Sequence, residues 1–144
     1  MNLKNLNIGV IGMGYVGLPL AIEFSKRLKV IGFDINEKRI NQLKNKIDVT
    51  KEVSKKDFLK LKNISFSKNI NDLNKFKIFI FNIITHIDSK NKPDLKPLIK
   101  DTKFVSTIVK KNDIVIYEST VFPGATEEIC GPILENNSNL KIKL

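Results

Sequence analysis

A chain of 144 residues is about one domain long, and 42% hydrophobic with 28% charged residues is a balance that builds a packed core without disulfides. The single Cys130 excludes an internal disulfide and fits a reducing compartment, while the longest apolar run, Ile78 to Ile84, is interrupted by Asn82 and far too short to span a bilayer. The formal charge of +10 would suit nucleic acid, but nearly all of it is lysine scattered along the chain, and Arg27 and Arg39 are the only arginines. The pattern fits a solvated lysine surface that also attracts dianionic ligands; neither nucleic acid nor membrane is an expected partner.

In chain order, Met1 to Asn5 leads straight into a strand pattern with no signal-peptide apolar stretch, so a cytoplasmic location is expected. Asn7 to Ile11 reads as the first strand, Gly12 to Gly17 as a glycine-rich turn, and Val16 to Leu28 as a helix with Leu20, Phe24 and Leu28 on one face. Pro19 falls in that helix's first turn, where its missing N–H costs nothing. Val30 to Asp34 is the second strand, and Asn36 caps a helix through Lys44 with Ile40 and Leu43 facing in. Ser54 to Leu61 reads as a short helix with Ser54 and Asp57 as a capping pair, and Ile64 to Phe66 as a short third strand. Lys77 to Ile83 is a fourth strand, apolar enough for burial on both faces. After a turn-rich segment from Thr85 to Pro93, Asp94 to Lys110 carries a helical apolar stripe, with Pro97 in its first turn. Asp113 to Tyr117 is a fifth strand; Pro123-Gly124 opens another helix, kinked at Gly131-Pro132; Leu140 to Leu144 lies near a further strand.

Strands alternating with helices predict an α/β fold with a parallel sheet. Within it, Gly12-Met13-Gly14-Tyr15-Val16-Gly17 is G-x-G-x-x-G between a strand and a helix, and the next strand ends in Asp34. Gly12 permits the tight turn, Gly14 the close approach of a pyrophosphate, and Gly17 the packing of helix on strand. The helix N-terminus offers free N–H groups to phosphates, and Asp34 can accept from the adenosine ribose hydroxyls. The alternative is a turn whose glycines serve packing alone, but packing needs no carboxylate at the strand end. Asp34 also selects the cofactor: a 2′-phosphate beside it meets repulsion of about 4 kcal/mol per charge pair at ~4 Å and intermediate dielectric, and no arginine directly follows. NAD is therefore the expected cofactor, bound by a Rossmann-type doubly wound parallel sheet. Arg39, one turn into the next helix, is either within reach of the adenosine end or a solvated helix residue.

Three segments point to a family. Gly12 to Ala21, Gly32 to Ile40, and Tyr117 to Gly124 followed by Thr126 to Cys130 together resemble the UDP-glucose/GDP-mannose dehydrogenase family over most of the chain. Glu52-Val53-Ser54 and Lys92-Pro93-Asp94-Leu95 lean toward its UDP-N-acetyl-hexosamine branch, which serves polysaccharide biosynthesis. The resemblance implies a nucleotide-sugar 6-dehydrogenase that oxidises a C6 alcohol to a carboxylate with two NAD, a cysteine thiolate trapping the intermediate aldehyde. It also implies NAD contacts at Gly14, Tyr15, Val16, Asp34, Arg39, Thr85 and Thr120, and a role for Thr120 in holding a catalytic water. Read without the resemblance, Ser119-Thr120 is a helix-capping pair ahead of Pro123-Gly124.

Two departures qualify the resemblance. The family's Val-Pro-Thr-Pro loop reads Ile83-Ile84-Thr85-His86-Ile87-Asp88 here, which keeps the threonine and loses both prolines, so the loop is expected to be less rigid. His86, the only histidine, stands where the family has proline and reads as an exposed loop residue. The family's catalytic cysteine, lysine and asparagine belong to segments beyond Leu144, and Cys130 reads as a core thiol. The expectation is therefore one incomplete NAD-binding domain over residues 1–144, truncated near its sixth strand, binding NAD without turnover and a UDP-sugar only if further domains complete it. A stand-alone NAD-binding regulatory module is the alternative. An open sheet edge with an apolar patch at Ile114, Ile116 and the helix face around Ile133 would favour self-association.

Overall fold

Alternating side chains along each strand divide the core in two. The computed structural model describes residues 6–83, 86–87 and 93–143. Its main sheet contains β1 (Asn7–Ile11), β2 (Lys29–Phe33), β3 (Ile64–Ser67), β4 (Ile78–Phe81) and, after the short strands β5 (His86–Ile87) and β6 (Pro93–Asp94), β7 (Ile114–Tyr117). The order is β3-β2-β1-β4-β7, with every pair parallel. Ile8, Val10, Val30 and Ile80 face one side, where α1 (Gly17–Ser25), α2 (Glu37–Lys44) and α3 (Lys55–Lys60) contribute Leu18, Ile22, Ile40, Leu43 and Phe58. Ile11, Ile31, Phe33, Phe79 and Phe81 face the other, against Leu98 and Val105 of α4 (Lys96–Ser106) and Cys130. Helices on both faces of a parallel sheet make the doubly wound arrangement expected from the sequence.

The local signals operate as the sequence implies. Asn36 caps α2 by accepting from the Arg39 amide at 3.2 Å. Ser54 accepts from the Asp57 amide at 3.2 Å while its hydroxyl donates to the Asp57 carboxylate at 2.6 Å. Cys130 is 1% exposed, a core thiol, and burial pushes its pKa up.

Elsewhere the structure extends or corrects the reading. Leu20, Phe24 and Leu28 pack half-buried against the core as one face, and α1 adds a second, fully buried stripe of Leu18, Ala21, Ile22 and Ser25. Helix α1 stops at Ser25 and α4 at Ser106, each three or four residues short of the expected end; after α1 only three residues remain before β2 begins at Lys29. At Gly131-Pro132, where a kink is expected, the helix changes type: a π-helical turn over Thr126–Cys130 runs directly into α5 (Gly131–Ser138), with Pro132 in the first turn of α5. The 3-10 turn Ile70–Leu73 and the β5–β6 pair carry no strong sequence pattern and were not expected. Residues 139–143 are irregular, while Ile114 and Ile116 on edge strand β7 are exposed, and Ile133 is half-buried.

Candidate dinucleotide site

The order of the sheet reverses between β1 and β4, and crevices at such switch points, beyond the carboxyl ends of the strands, are where open α/β sheets take ligands. The glycine turn lies there. Gly12 has φ +92°, and a Cβ on it would sit 2.5 Å from the Asn82 carbonyl oxygen. A Cβ on Gly17 would overlap the Gly12 carbonyl oxygen outright. Gly14 has neither the positive φ of Gly12 nor the burial of Gly17, so the room it leaves faces outward. Tyr15 and Val16 project into solvent. Among the described residues nothing accepts from the amides of Gly14, Tyr15 or Val16, and no acidic residue stands in the first turn of α1. Unsatisfied amides with a helix dipole behind them and no competing carboxylate suit an anion.

Asp34 follows β2 directly and is bound into the turn: its carboxylate accepts from the Met13 amide at 2.9 Å and the Asn36 amide at 2.8 Å. An ionised carboxylate has about four acceptor positions, so both oxygens keep capacity for further donors. Arg39 is not the solvated residue of one sequence reading; it is 7% exposed. Its Nε donates to the Met13 carbonyl at 2.7 Å, and its Nη2 pairs with Asp48 at 2.8 Å and reaches Thr50 at 3.4 Å. Nη1 is buried without a partner. Met13, Gly14, Asp34, Arg39, Val49 and Thr50 line one cleft of about 510 Å³, within the range of small-molecule sites.

On the other side of the glycine turn, the ends of β4 and β7 are tied together. The Ile83 amide donates to Ser119 Oγ at 3.0 Å, and Asn82 Nδ2 to Glu118 at 3.3 Å. Ser119 thus joins two strand ends, and the helix-cap reading of Ser119-Thr120 fails: the following helical segment has Ala125 at its N-cap position and no side-chain cap. Thr120 is exposed one residue beyond. Thr85 lies outside the described residues, as does the side chain of His86. Two contributors escaped the sequence reading. Asn82, 8% exposed, backs both Gly12 and Gly17, and its signal was a polar residue inside an apolar strand. Asp48 anchors Arg39, and its signal was the Asp48-Val49-Thr50 turn, in which the carboxylate accepts from the Thr50 amide at 3.1 Å. No described helix is long and apolar enough to cross a membrane.

A parallel sheet in this order, with a glycine turn after β1 and an acidic residue after β2, defines a dinucleotide-binding α/β domain. The chain belongs to the UDP-glucose/GDP-mannose dehydrogenase family: residues 6–144 match its NAD binding domain, and the cofactor of this domain is NAD. It is 50% identical over 139 residues to the UDP-N-acetyl-D-glucosamine 6-dehydrogenase of Pseudomonas aeruginosa, covering 96% of this chain and 33% of that protein. To the enzyme of the same name from Salmonella typhi it is 44% identical over 138 residues, 96% of this chain and 32% of that one. The solved UDP-D-ManNAc dehydrogenase of Pyrococcus horikoshii superposes with a TM-score of 0.85 at 30% identity, over 96% of this chain and 34% of that one. These names fall in the hexosamine branch toward which the sequence leaned. The chain spans about a third of the length of the curated relatives it matches.

Proposed function

We propose that this chain is the NAD-binding part of a nucleotide-sugar 6-dehydrogenase that oxidises the C6 alcohol of a UDP-N-acetylhexosamine to a carboxylate, and that these 144 residues bind NAD without turning over a sugar alone. The observation that carries the reading is the bonded unit of glycine turn and acid. The free amides of Gly14, Tyr15 and Val16 stand at one end, and Asp34, tied to the Met13 amide, stands at the other.

In this reading Gly12 and Gly17 shape the turn, and Gly14, Tyr15 and Val16 present backbone N–H groups to the pyrophosphate. Asp34 accepts from the adenosine ribose hydroxyls with its remaining lone pairs. Arg39, which lines the same cleft, is the cation beside it at the adenosine end. Thr120 closes the β7 side, and Thr85 is assigned to the nicotinamide half by family resemblance alone. The bound cofactor supplies a hydride acceptor; the chain supplies its position and orientation.

Thermal unfolding tests the binding. A ligand that binds only the folded chain at a hundredfold excess over its dissociation constant adds about 2.7 kcal/mol, a shift of several degrees in Tm. A melting point indifferent to NAD would overturn the reading. Absorbance at the NADH band should stay flat with NAD and a UDP-N-acetylhexosamine. Turnover lost in Cys130→Ser would instead assign Cys130 as the nucleophile.

A further inference from the structure

Asp48 lies in the loop after α2, with none of its side chain open to solvent. One oxygen accepts from Arg39 Nη2 at 2.8 Å, from the Thr50 hydroxyl at 2.7 Å and from the Thr50 amide at 3.1 Å. The other accepts from the amides of Glu52 at 2.9 Å and Val53 at 3.1 Å. Burial pushes this carboxyl up, but the hydrogen bonds from Thr50, Arg39 and Val53 outweigh it and hold its pKa below the ordinary value. Asp48 is therefore ionised at neutral pH, directly against the guanidinium that lines the cleft beside Asp34.

We propose that Asp48, without touching the dinucleotide, sets the preference for NAD over its 2′-phosphorylated counterpart by neutralising Arg39. The inference rests on the NAD reading of this cleft. An arginine near the adenosine ribose is the group that ordinarily accommodates a 2′-phosphate. Here that charge is matched by a buried carboxylate at 2.8 Å, and Asp34 adds a second negative charge. Asp34 in the cleft and Asp48 behind it together outnumber the buried Arg39, which leaves that guanidinium no net charge to offer a 2′-phosphate. Lys38 also lines the cleft, and the neighbouring Glu37 of α2 pairs with Lys68. These groups are exposed, where salt screens them.

The test is calorimetric titration of the 144-residue chain with NAD and with NADP, for the wild type, Asp48→Asn, Asp48→Glu, and Asp48→Asn combined with Arg39→Gln. Asp48→Asn keeps an acceptor oxygen but frees the charge on Arg39. NADP affinity should rise about tenfold relative to NAD, the scale of one unit charge acting from ~12 Å at intermediate dielectric, since Asp48 lies behind Arg39. Added salt should shrink that gain, and the double variant should lose it. Asp48→Glu keeps the charge while disturbing the loop, so it should keep the wild-type preference. Asp48→Asn that weakens both cofactors in proportion, or Asp48→Glu that relaxes the preference as far as Asn, would overturn the inference. If Asp48→Asn yields too little folded chain, Asp48→Glu decides alone: a retained preference supports the inference and a relaxed one overturns it. A wild-type chain that binds neither cofactor would overturn the NAD reading instead.

Discussion

From β1 to the loop after α2, the polar groups near the glycine turn are almost all spoken for. Asp34 holds the Met13 and Asn36 amides, Arg39 holds the Met13 carbonyl, and Asp48 holds Arg39 together with its own loop. From β4 to α5 the accounts are less settled. Thr102 and Tyr117 bond at 3.1 Å beside the buried Cys130, but Asp101 is 5% exposed with Oδ1 unpartnered, and Ile114 and Ile116 stand in solvent at the sheet edge. The free donors open to a ligand in the first half are the amides before α1, while Arg39 Nη1 is buried without a partner. In the second half the buried atoms without a hydrogen bond belong to acids, Asp101 Oδ1 and Asp113 Oδ1, and of these Asp113 Oδ1 has Lys77 at 3.4 Å. Removing a polar group should therefore harm the first half and help the second.

The largest expected effect is in the first half. Gly17→Ala drives a methyl group into the Gly12 carbonyl, and the clash meets backbone that cannot yield. We expect a loss on the order of 3 kcal/mol, read by denaturant unfolding, with NAD binding lost alongside. A Gly17→Ala chain with wild-type stability would show that the turn is looser than its packing indicates.

The second half should respond in the opposite sense. Burial, with Asp34 nearby adding to it and Lys100 opposing, pushes the Asp101 carboxyl up from 3.8 to about 6. A folded-state value above the unfolded one favours the protonated acid in the fold. Its stabilising contribution is complete below pH ~3.8 and is lost as pH rises through about 6. At pH 8 the ionised acid then costs about 3 kcal/mol, at 1.36 kcal/mol per pKa unit. Asp101→Asn should raise Tm by several degrees at pH 8 and leave it nearly unchanged at pH 4. A gain of equal size at both pH values would place the cause in packing rather than charge.

The smallest expected effect sharpens the comparison within the first half. Asn36 caps the helix that carries Arg39, so Asn36→Ala should cost about 1 kcal/mol. NAD affinity should fall less than it does for Asp34→Ala, because the cap acts through helix position. Equal losses of NAD affinity in the two variants would make the cap part of the binding surface.

The first half was also the more legible in sequence, for the same physical reason. Its determinants are short-range: a glycine pattern bounded by strand and helix, an acid at a strand end, and Asn36 and Ser54 as caps. Each acts within a few residues of itself, so spacing alone reveals it. Asp48 was missed because its main partner lies nine positions back, on the face of α2 that rolls under the glycine turn. Asn82 was missed because a polar residue in an apolar strand gives no hint of what it backs. The face of α1 was read only in part: hydrophobicity showed Leu20, Phe24 and Leu28, which pack half-buried on the core, but the fully buried stripe also holds Ala21 and Ser25, which hydrophobicity alone does not mark. In the second half, the π turn before Pro132 and the partnerless Asp101 depend on tertiary neighbours that no periodicity reports.

The central claim is that the glycine turn and Asp34 form one NAD site, and calorimetric titration of the wild-type chain and of Asp34→Ala with NAD and NADP tests it most directly. The account predicts saturable NAD binding at one site per chain and much weaker NADP binding. In Asp34→Ala, NAD should weaken and the gap between the cofactors should narrow. Equal affinities in the wild type, or NAD binding unchanged by Asp34→Ala, would contradict it.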